Sequence, residues 1–227
     1  MSDPLVIVSV ARTPMGGMLG ELSALSANEL GAVAIKAAVE RAGLKPEQVQ
    51  EVIMGNVLQA GQGQAPARQA ALGAGLPHTT AGSTINKICG SGMKAAMFAH
   101  DALVAGSIDI AVAGGMESMT NAPHLLPKGR QGIRFGHATI YDHMAMDGLE
   151  DAYDKGRAMG VFAEDCADKY AFTRGQQDAY SLESLKRARA AIEDGSFEWE
   201  IAPVTVQGRK GEGVIAKDEG PGKAMPE

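Results

Sequence analysis

The sequence is poor in several residue types, and each shortage excludes a class of protein. Only two of the 227 residues are cysteine, which argues against the disulfide framework of a small secreted domain. Aromatic residues make up 4% of the chain, so aliphatic and small side chains must build the core. No apolar run approaches the length of a membrane span, and no signal peptide is recognisable at the start. We therefore expect a reduced, soluble, cytoplasmic protein.

Basic charge is also scarce, because the formal net charge is −6 at pH 7. Nucleic-acid binding needs a basic face, so this balance argues against that function. One modest basic neighbourhood stands near the C-terminus and consists of Arg209, Lys210, Lys217 and Lys223. Such a group is usually part of a solvated loop, and the alternative is an anchor for phosphate groups. We predict no metal site.

Apolar runs and amphipathic segments alternate through the first half of the chain. Strands are predicted at Leu5–Ala11, a continuous apolar run typical of a buried strand, and at Val52–Leu58, Thr84–Ile88 and Ile108–Ala113. Helices are predicted between them, one after the capping box that Ser26 opens and one from Pro66 to Gly75. By residue 115 the chain thus alternates four strands with helices, which predicts an α/β fold with a mostly parallel sheet.

The character of the chain changes after about residue 117. The segment 121–136 is rich in Pro, Gly, Lys and Arg and is predicted to be an extended excursion. Helices are predicted near 142–154, 161–171 and 173–194, the last opened by a second capping box at Thr173. The segment 200–206 is a candidate strand, and no closing element is predicted beyond Gln207. We therefore divide the chain into 1–119 and a largely helical part, 120–227.

Cys89 stands in the most informative stretch, Asn86-Lys87-Ile88-Cys89-Gly90-Ser91-Gly92-Met93-Lys94-Ala95-Ala96. A short apolar approach ends at the cysteine, and a helix of small residues is predicted to follow it as far as about Ala105. The free N–H groups and the positive dipole end of that helix favour an anion, so the thiol should lose its proton more easily. Gly90 and Gly92 leave room for a large substrate. Without such neighbours, a free cysteine is more often a buried apolar residue.

Four blocks of sequence together resemble the thiolase family, whose acyl-enzyme signature is similar to the block around Cys89. The other three stand in the expected order: Ala11-Arg12-Thr13-Pro14, Gly61-Gln62-Gly63-Gln64-Ala65-Pro66-Ala67-Arg68-Gln69-Ala70 and Ala113-Gly114-Gly115-Met116-Glu117-Ser118-Met119. The resemblance covers most of residues 5–120 and continues more loosely to about Lys210. It implies the N-terminal half of a thiolase, a mixed, mostly parallel sheet covered by helices, followed by a largely helical inserted loop domain.

The resemblance gives Cys89 the role of a nucleophile that takes an acyl group from one coenzyme A thioester and hands it to a second molecule. The backbone N–H of Cys89 would help to hold the developing oxyanion. In the family, the activating base and a second cysteine stand in a C-terminal half that this sequence lacks. Cys166 is interpreted as structural, and the five histidines as surface or packing residues. Without the other half, apolar surface should be exposed.

Several other positions are candidates for a role near the site. Glu117 is either an acceptor beside it or, as we favour, a structural carboxylate. By resemblance, Arg68 and Gln69 belong to a dimer contact, and Ala65 replaces the usual Asn of the family. The excursion at 120–160 resembles the tetramerisation and coenzyme A-covering region. Candidate coenzyme A contacts are Met159, for the pantetheine tunnel, and Arg209, Lys210 and Lys223, for the nucleotide phosphates.

The resemblance implies an acetyl-CoA C-acetyltransferase that joins two acetyl units into acetoacetyl-CoA through a cysteine thioester. The alternative within the family is a 3-ketoacyl-CoA thiolase of fatty-acid breakdown with longer substrates. A further alternative is a non-catalytic fragment that only binds coenzyme A or partner chains. We expect coenzyme A thioesters as substrates, no tightly bound cofactor, and a homo-oligomer, a dimer of dimers, in the full-length protein. Neither nucleic acid nor membrane is an expected partner.

Overall fold

A parallel sheet of three short strands forms the centre of the computed structural model, which describes residues 5–208 and 211–224. The strands are β1 (Glu51–Gly55), β2 (Ala81–Ile85) and β3 (Ala111–Gly115), in the order β2-β1-β3. Gly55 lies opposite both Ile85 and Gly115, so the carboxyl ends of all three strands meet at one edge. Ligands of open parallel sheets bind outside this edge.

Helices cover both faces of the sheet, as the sequence predicts: α1 (Ala27–Arg41), α2 (Pro66–Gly73) and α3 (Ser91–Val104). Side chains alternate along β1 and so divide the core into two layers. Val52 and Met54 pack in the layer that α1 and α2 cover. Ile53 points the other way and packs against Ala95 and Ala99 of α3. Aliphatic and small residues build both layers, in keeping with the low aromatic content.

The ends of α1 follow from local signals in the sequence. Ser26 and Glu29 form the predicted capping box, since each side chain accepts a hydrogen bond from the other residue's backbone N–H. Gly43, with φ of +67°, follows the last turn, where a left-handed residue suits glycine. Arg41 in the last turn donates to the carbonyls of Val10, Glu200 and Ile201. This arginine therefore joins α1 to both ends of the chain.

The second half of the chain contains two of the three predicted helices as α-helices, at 159–169 and 174–193, together with short strands, whereas only a short π-helix lies where a helix was predicted near 142–154. Its elements are β4 (His124–Leu125), β5 (Tyr141–Asp142), a π-helix (Ala145–Leu149), α4 (Met159–Lys169), α5 (Arg174–Glu193), β6 (Val204–Gly208), β7 (Gly211–Ile215) and α6 (Glu219–Lys223). The last two lie beyond Gln207, where the sequence predicts no closing element. Glycines weaken the strand signal of β7, but antiparallel pairing with β6 satisfies its backbone.

The apolar run Leu5–Ala11 is not the buried strand that its composition predicts. Val6, Ile7 and Val8 are 71%, 86% and 67% exposed. Within the described ranges, the run has no strand beside it, and only the next residue, Arg12, forms an isolated bridge with Ile201. A strand needs a neighbour for its N–H and C=O groups, so the central sheet has three strands instead of four.

Large apolar side chains are also exposed on α3. They are Met93, Met97, Phe98 and Val104. None of the helices in the described ranges is both long and apolar enough to cross a membrane. Met93, Met97 and Val104 share one face of α3, which begins two residues after Cys89.

Ala65 precedes α2 in a left-handed conformation, with φ of 49° and ψ of 67°. This region suits Asn and Gly and costs an alanine free energy, because its Cβ approaches the following carbonyl. Ala65 also cannot cap the helix, and α2 begins without a side-chain cap. The departure from the family's usual Asn thus leaves a strained, uncapped helix start.

We expect Ala65→Asn to raise the free energy of unfolding by about 1 kcal/mol, since asparagine tolerates the left-handed region and caps helices well. Urea unfolding followed by circular dichroism measures the change. Ala96→Asn, at an exposed position inside α3, is the matched control and should destabilise by about 0.7 kcal/mol through lower helix propensity. An Ala65→Asn chain no more stable than wild type contradicts the strain at this position.

Candidate active site

A cavity of about 740 Å³ opens at the carboxyl edge of the sheet, and Cys89 lies on its wall. The sulfur-bearing side chain is exposed, so a ligand in the cavity can reach it. The lining comes mainly from segments 11–18, 55–58, 88–92, 115–120 and 144–149. The first of these segments is the loop before α1, and two others directly follow β1 and β3. The site therefore lies where a parallel sheet usually binds its ligand.

Glycines allow α3 to start directly on the strand ends. A Cβ added at Gly55 would lie 2.5 Å from the Ser91 Cβ and 2.7 Å from the Gly92 nitrogen, too close for any side chain. On β3, a Cβ added at Gly115 would lie 3.4 Å from the Gly92 Cα. Because Cys89 stands two residues before α3, this close approach carries it to the sheet edge.

The turn that presents Cys89 has an unusual backbone. Ile88 has a positive φ of 49°, which is rare for a β-branched residue. The Asn86 Oδ1 accepts the Ile88 N–H at 2.9 Å, and the Ile88 carbonyl accepts the Ser91 N–H at 3.0 Å. No carbonyl of the described residues accepts the Cys89 N–H. That N–H therefore has no backbone acceptor among the described residues and is available to a ligand.

The carboxylate of Glu117 binds the loop that follows β1. Its carboxylate accepts hydrogen bonds from the Asn56 side chain at 2.7 Å and from the N–H groups of Val57 and Leu58 at 2.9 and 3.0 Å. Asn56 is 1% exposed and also donates to the Met116 carbonyl. The carboxylate thus joins the segments after β1 and β3, which supports the structural role favoured from sequence.

The loop before α1 is held in place by acidic residues from the end of the chain. Arg12 donates to both oxygens of Asp218, at 2.7 and 2.9 Å, and forms a second ion pair with Glu200. The hydrogen bond from Arg12 lowers the pKa of Asp218 below its ordinary value. Asp218 also accepts the Met15 N–H at 2.8 Å. One wall of the cavity therefore depends on a contact between residues about 200 positions apart in sequence.

Glu219, the residue after Asp218, holds the same loop. It is buried, forms an ion pair with Lys223, and accepts the N–H groups of Gly17 and Glu21 at 2.8 and 3.1 Å. The bond from Lys223, followed by the two backbone N–H groups, lowers the pKa of Glu219 to about 2. A Cβ at Gly20 would lie 2.2 Å from a Glu219 carboxylate oxygen, so a side chain there would displace this carboxylate.

Comparison with known proteins decides the family. The family described as "Thiolase, N-terminal domain" matches residues 5–226, nearly the whole chain. The chain belongs to the thiolase family.

The relatives of this thiolase chain are about twice its length. Acetyl-CoA acetyltransferase 2 of Arabidopsis thaliana is 54% identical over 219 residues, which cover 96% of this chain and 54% of the relative. The cytosolic acetyl-CoA acetyltransferase of Gibberella zeae is 52% identical over 212 residues, 93% of this chain and 53% of the relative. The crystal structure of the Acat5 thiolase from Ascaris suum in complex with coenzyme A superposes with a TM-score of 0.90 at 40% identity. It matches 97% of this chain and 55% of its own. This confirms the predicted thiolase N-terminal fold.

Of the coenzyme A contacts predicted from sequence, the two that the structure describes do not line the cavity beside Cys89. Met159 is the first residue of α4, and neither it nor Lys223 lines the cavity. Lys223 is engaged by Glu219. Arg209 and Lys210 lie outside the described residues. Their roles as coenzyme A contacts remain predictions.

Other sequence candidates of the thiolase chain have structural partners. Arg68 donates to the carbonyls of His78 and Thr80, and Gln69 donates to those of Gln62 and Gln64, so both residues order loops within the chain. Their predicted place in a dimer contact stays a prediction.

Cys166, interpreted from sequence as structural, is exposed on α4. The histidines are surface or packing residues, as expected from sequence. His143 is the buried one, 6% exposed, with Nδ1 2.7 Å from Asp147 and Nε2 accepting the Ala60 N–H at 3.3 Å. Among the residues that the structure describes, no group of three or more His, Cys, Asp or Glu side chains has a geometry that could hold a metal ion.

Sequence reasoning missed Asp218 and Glu219. No local signal marks them, since both carboxylates meet partners from the opposite end of the chain. Their contribution to the site is visible only after folding.

Acid should weaken the wall formed by Glu219 in a defined pH range. A depressed carboxyl pKa stabilises the fold above the unfolded value of about 4.5, and this contribution is lost as the pH falls toward about 2. Glu219→Gln should be less stable than wild type at neutral pH and should lose less stability between these two pH values. Urea midpoints across the range measure both effects.

The matched control for this experiment is Glu164→Gln on the exposed face of α4, which should follow the wild-type pH profile. Parallel pH profiles for wild type and Glu219→Gln would show that the Glu219 carboxylate does not stabilise the loop.

Proposed function

We propose that this chain carries the acyl-accepting half of an acetyl-CoA C-acetyltransferase, with Cys89 as the nucleophile. The observation that carries the proposal is the position of Cys89, exposed on the wall of a cavity at the carboxyl ends of β1 and β3. A thiolate there can attack the carbonyl carbon of a thioester. A new carbon–sulfur bond forms, the bond to the coenzyme A sulfur breaks, and coenzyme A leaves as the thiol after taking up a proton.

The free N–H of Cys89 supplies an oxyanion donor for this step. As the thiolate adds, negative charge develops on the thioester oxygen, and a donor fixed in advance stabilises it without reorganisation. The turn at Ile88 and the first turn of α3 hold this N–H in position. The positive end of the α3 dipole favours the same charge.

The names of the relatives favour acetyl-CoA as the acyl donor. Those compared above are acetyl-CoA acetyltransferases, and the Ascaris suum thiolase was solved with coenzyme A. A cavity of about 740 Å³ lies within the range of small-molecule sites. We therefore favour acetyl-CoA and acetoacetyl-CoA as substrates over longer 3-ketoacyl thioesters, with no tightly bound cofactor.

Carbon–carbon bond formation needs a base that takes a proton from the acetyl methyl group. None of the described residues lining the cavity is a histidine, and the nearby Glu117 is committed to backbone and amide donors. The chain spans about half the length of its relatives. We propose that condensation relies on residues of the kind that the family carries in its C-terminal half.

We further propose a cytoplasmic homo-oligomer, a dimer of dimers, as the working form of the full-length protein. Both cysteines are free and exposed, which suits a reducing compartment, and the Gibberella zeae relative is cytosolic by name. The exposed apolar face of α3 suits burial within a larger assembly.

Acetylation of the chain by acetyl-CoA tests the proposal. We expect intact-mass spectrometry to show one acetyl adduct on the wild-type chain, released by added coenzyme A because thioester exchange is reversible. Cys89→Ser should form no adduct that coenzyme A can release.

Cys166→Ser is the matched control, because it removes the other exposed thiol and should leave the adduct unchanged. An adduct that persists in Cys89→Ser but disappears in Cys166→Ser would overturn the assignment of the nucleophile. A folded wild-type chain that binds coenzyme A without acquiring an acetyl group would favour the non-catalytic alternative.

A further inference from the structure

The turn before Cys89 holds a strained residue in an accessible place. Ile88 is 47% exposed and adopts φ of 49°, although isoleucine is among the residues least suited to the left-handed region. A side chain this exposed gains little from burial, so packing does not explain the conformation. Such a backbone persists only where surrounding contacts over-determine it, and these positions cluster at functional sites.

The hydroxyl of Ser91 supplies two of those contacts. Its Oγ accepts the Lys87 N–H at 2.8 Å and donates to the Ile88 carbonyl at 2.5 Å. One hydroxyl thus bridges both peptide groups that flank the turn. Ser91 is 4% exposed, and its Cβ lies so close to Gly55 of β1 that no side chain would fit at position 55. Ser91 therefore lies against the carboxyl end of β1.

Ser91 does not use its hydroxyl for the usual purpose of a serine at a helix start. It is the first residue of α3, the preceding Gly90 is the cap residue, and α3 begins without a side-chain cap bond. A serine cap would instead accept an N–H two or three residues further along the helix. Here both hydrogen bonds go backwards to Lys87 and Ile88.

We propose that Ser91 is a positioning residue for Cys89, whose hydroxyl keeps Ile88 left-handed and so holds the nucleophile and its N–H in the cavity. The proposal rests on the proposed function, because it needs Cys89 to be the group that reacts. Ser91 acts through the turn and does not touch the thioester. Its loss should therefore slow the acyl transfer without weakening the binding of the thioester.

The test measures Cys89 acetylation by acetyl-CoA at several concentrations in Ser91→Ala. We expect the saturating rate to fall on the order of ten- to a hundredfold, the cost of a misplaced reacting group, with an unchanged half-saturating concentration. Ser83→Ala, an exposed serine on β2, is the matched control and should keep the wild-type rate.

Rescue by a second substitution separates positioning from a purely structural role. Asparagine adopts the left-handed region far more readily than isoleucine. Ile88→Asn added to Ser91→Ala should therefore restore most of the lost rate, relative to Ile88→Asn alone. The proposal is overturned by a wild-type rate in Ser91→Ala, by a double variant with no recovery, or by a double variant that does not fold.

Alkylation by iodoacetamide tests the positioning role of Ser91 separately from the proposed function. The reagent needs no thioester site, and Cys166 provides an internal reference on α4. If wild type does not react with acetyl-CoA, the proposed function fails, and slower alkylation of Cys89 alone in Ser91→Ala still supports the positioning role. Equal alkylation ratios of Cys89 to Cys166 in both chains overturn it.

Discussion

The candidate active site depends on how closely the first turn of α3 approaches the ends of β1 and β3. Glycines at Gly55, Gly92 and Gly115 permit a backbone contact that any side chain at Gly55 would prevent. This contact places Cys89 at the sheet edge and Ser91 against β1. It thereby positions the turn at Ile88. Small residues are needed at these positions because larger ones would prevent the close approach. That approach brings Cys89 to the sheet edge.

A second set of contacts holds other segments that line the cavity. Asp218 and Glu219 hold the loop before α1 through Arg12 and through backbone N–H groups, while Glu117 joins the segments after β1 and β3. In both places a carboxylate holds a polypeptide segment through hydrogen bonds. Ion pairs and hydrogen bonds therefore hold the loop before α1, whereas close backbone packing positions the first turn of α3.

Local signals in the sequence predicted the elements that local interactions stabilise. The capping boxes at Ser26 and Thr173 and the small-residue helix after Cys89 appear where expected. The run Leu5–Ala11 was misjudged, because an apolar segment becomes a buried strand only beside a partner. Asp218 escaped notice for the same reason, since its meaning comes from Arg12, far away in sequence. A sequence pattern predicts the structure that a segment favours. Contacts with residues distant in sequence decide which structure it adopts.

The ion pair between Arg12 and Asp218 spans 206 positions, and this separation has a consequence for synthesis. A chain emerges from the ribosome N-terminus first, so the sheet, α3 and Cys89 are available long before Asp218. Until then the loop before α1 lacks its anchor, and the cavity wall beside Cys89 is not yet held in place. The cavity is therefore completed only after residues 218 and 219 have been translated.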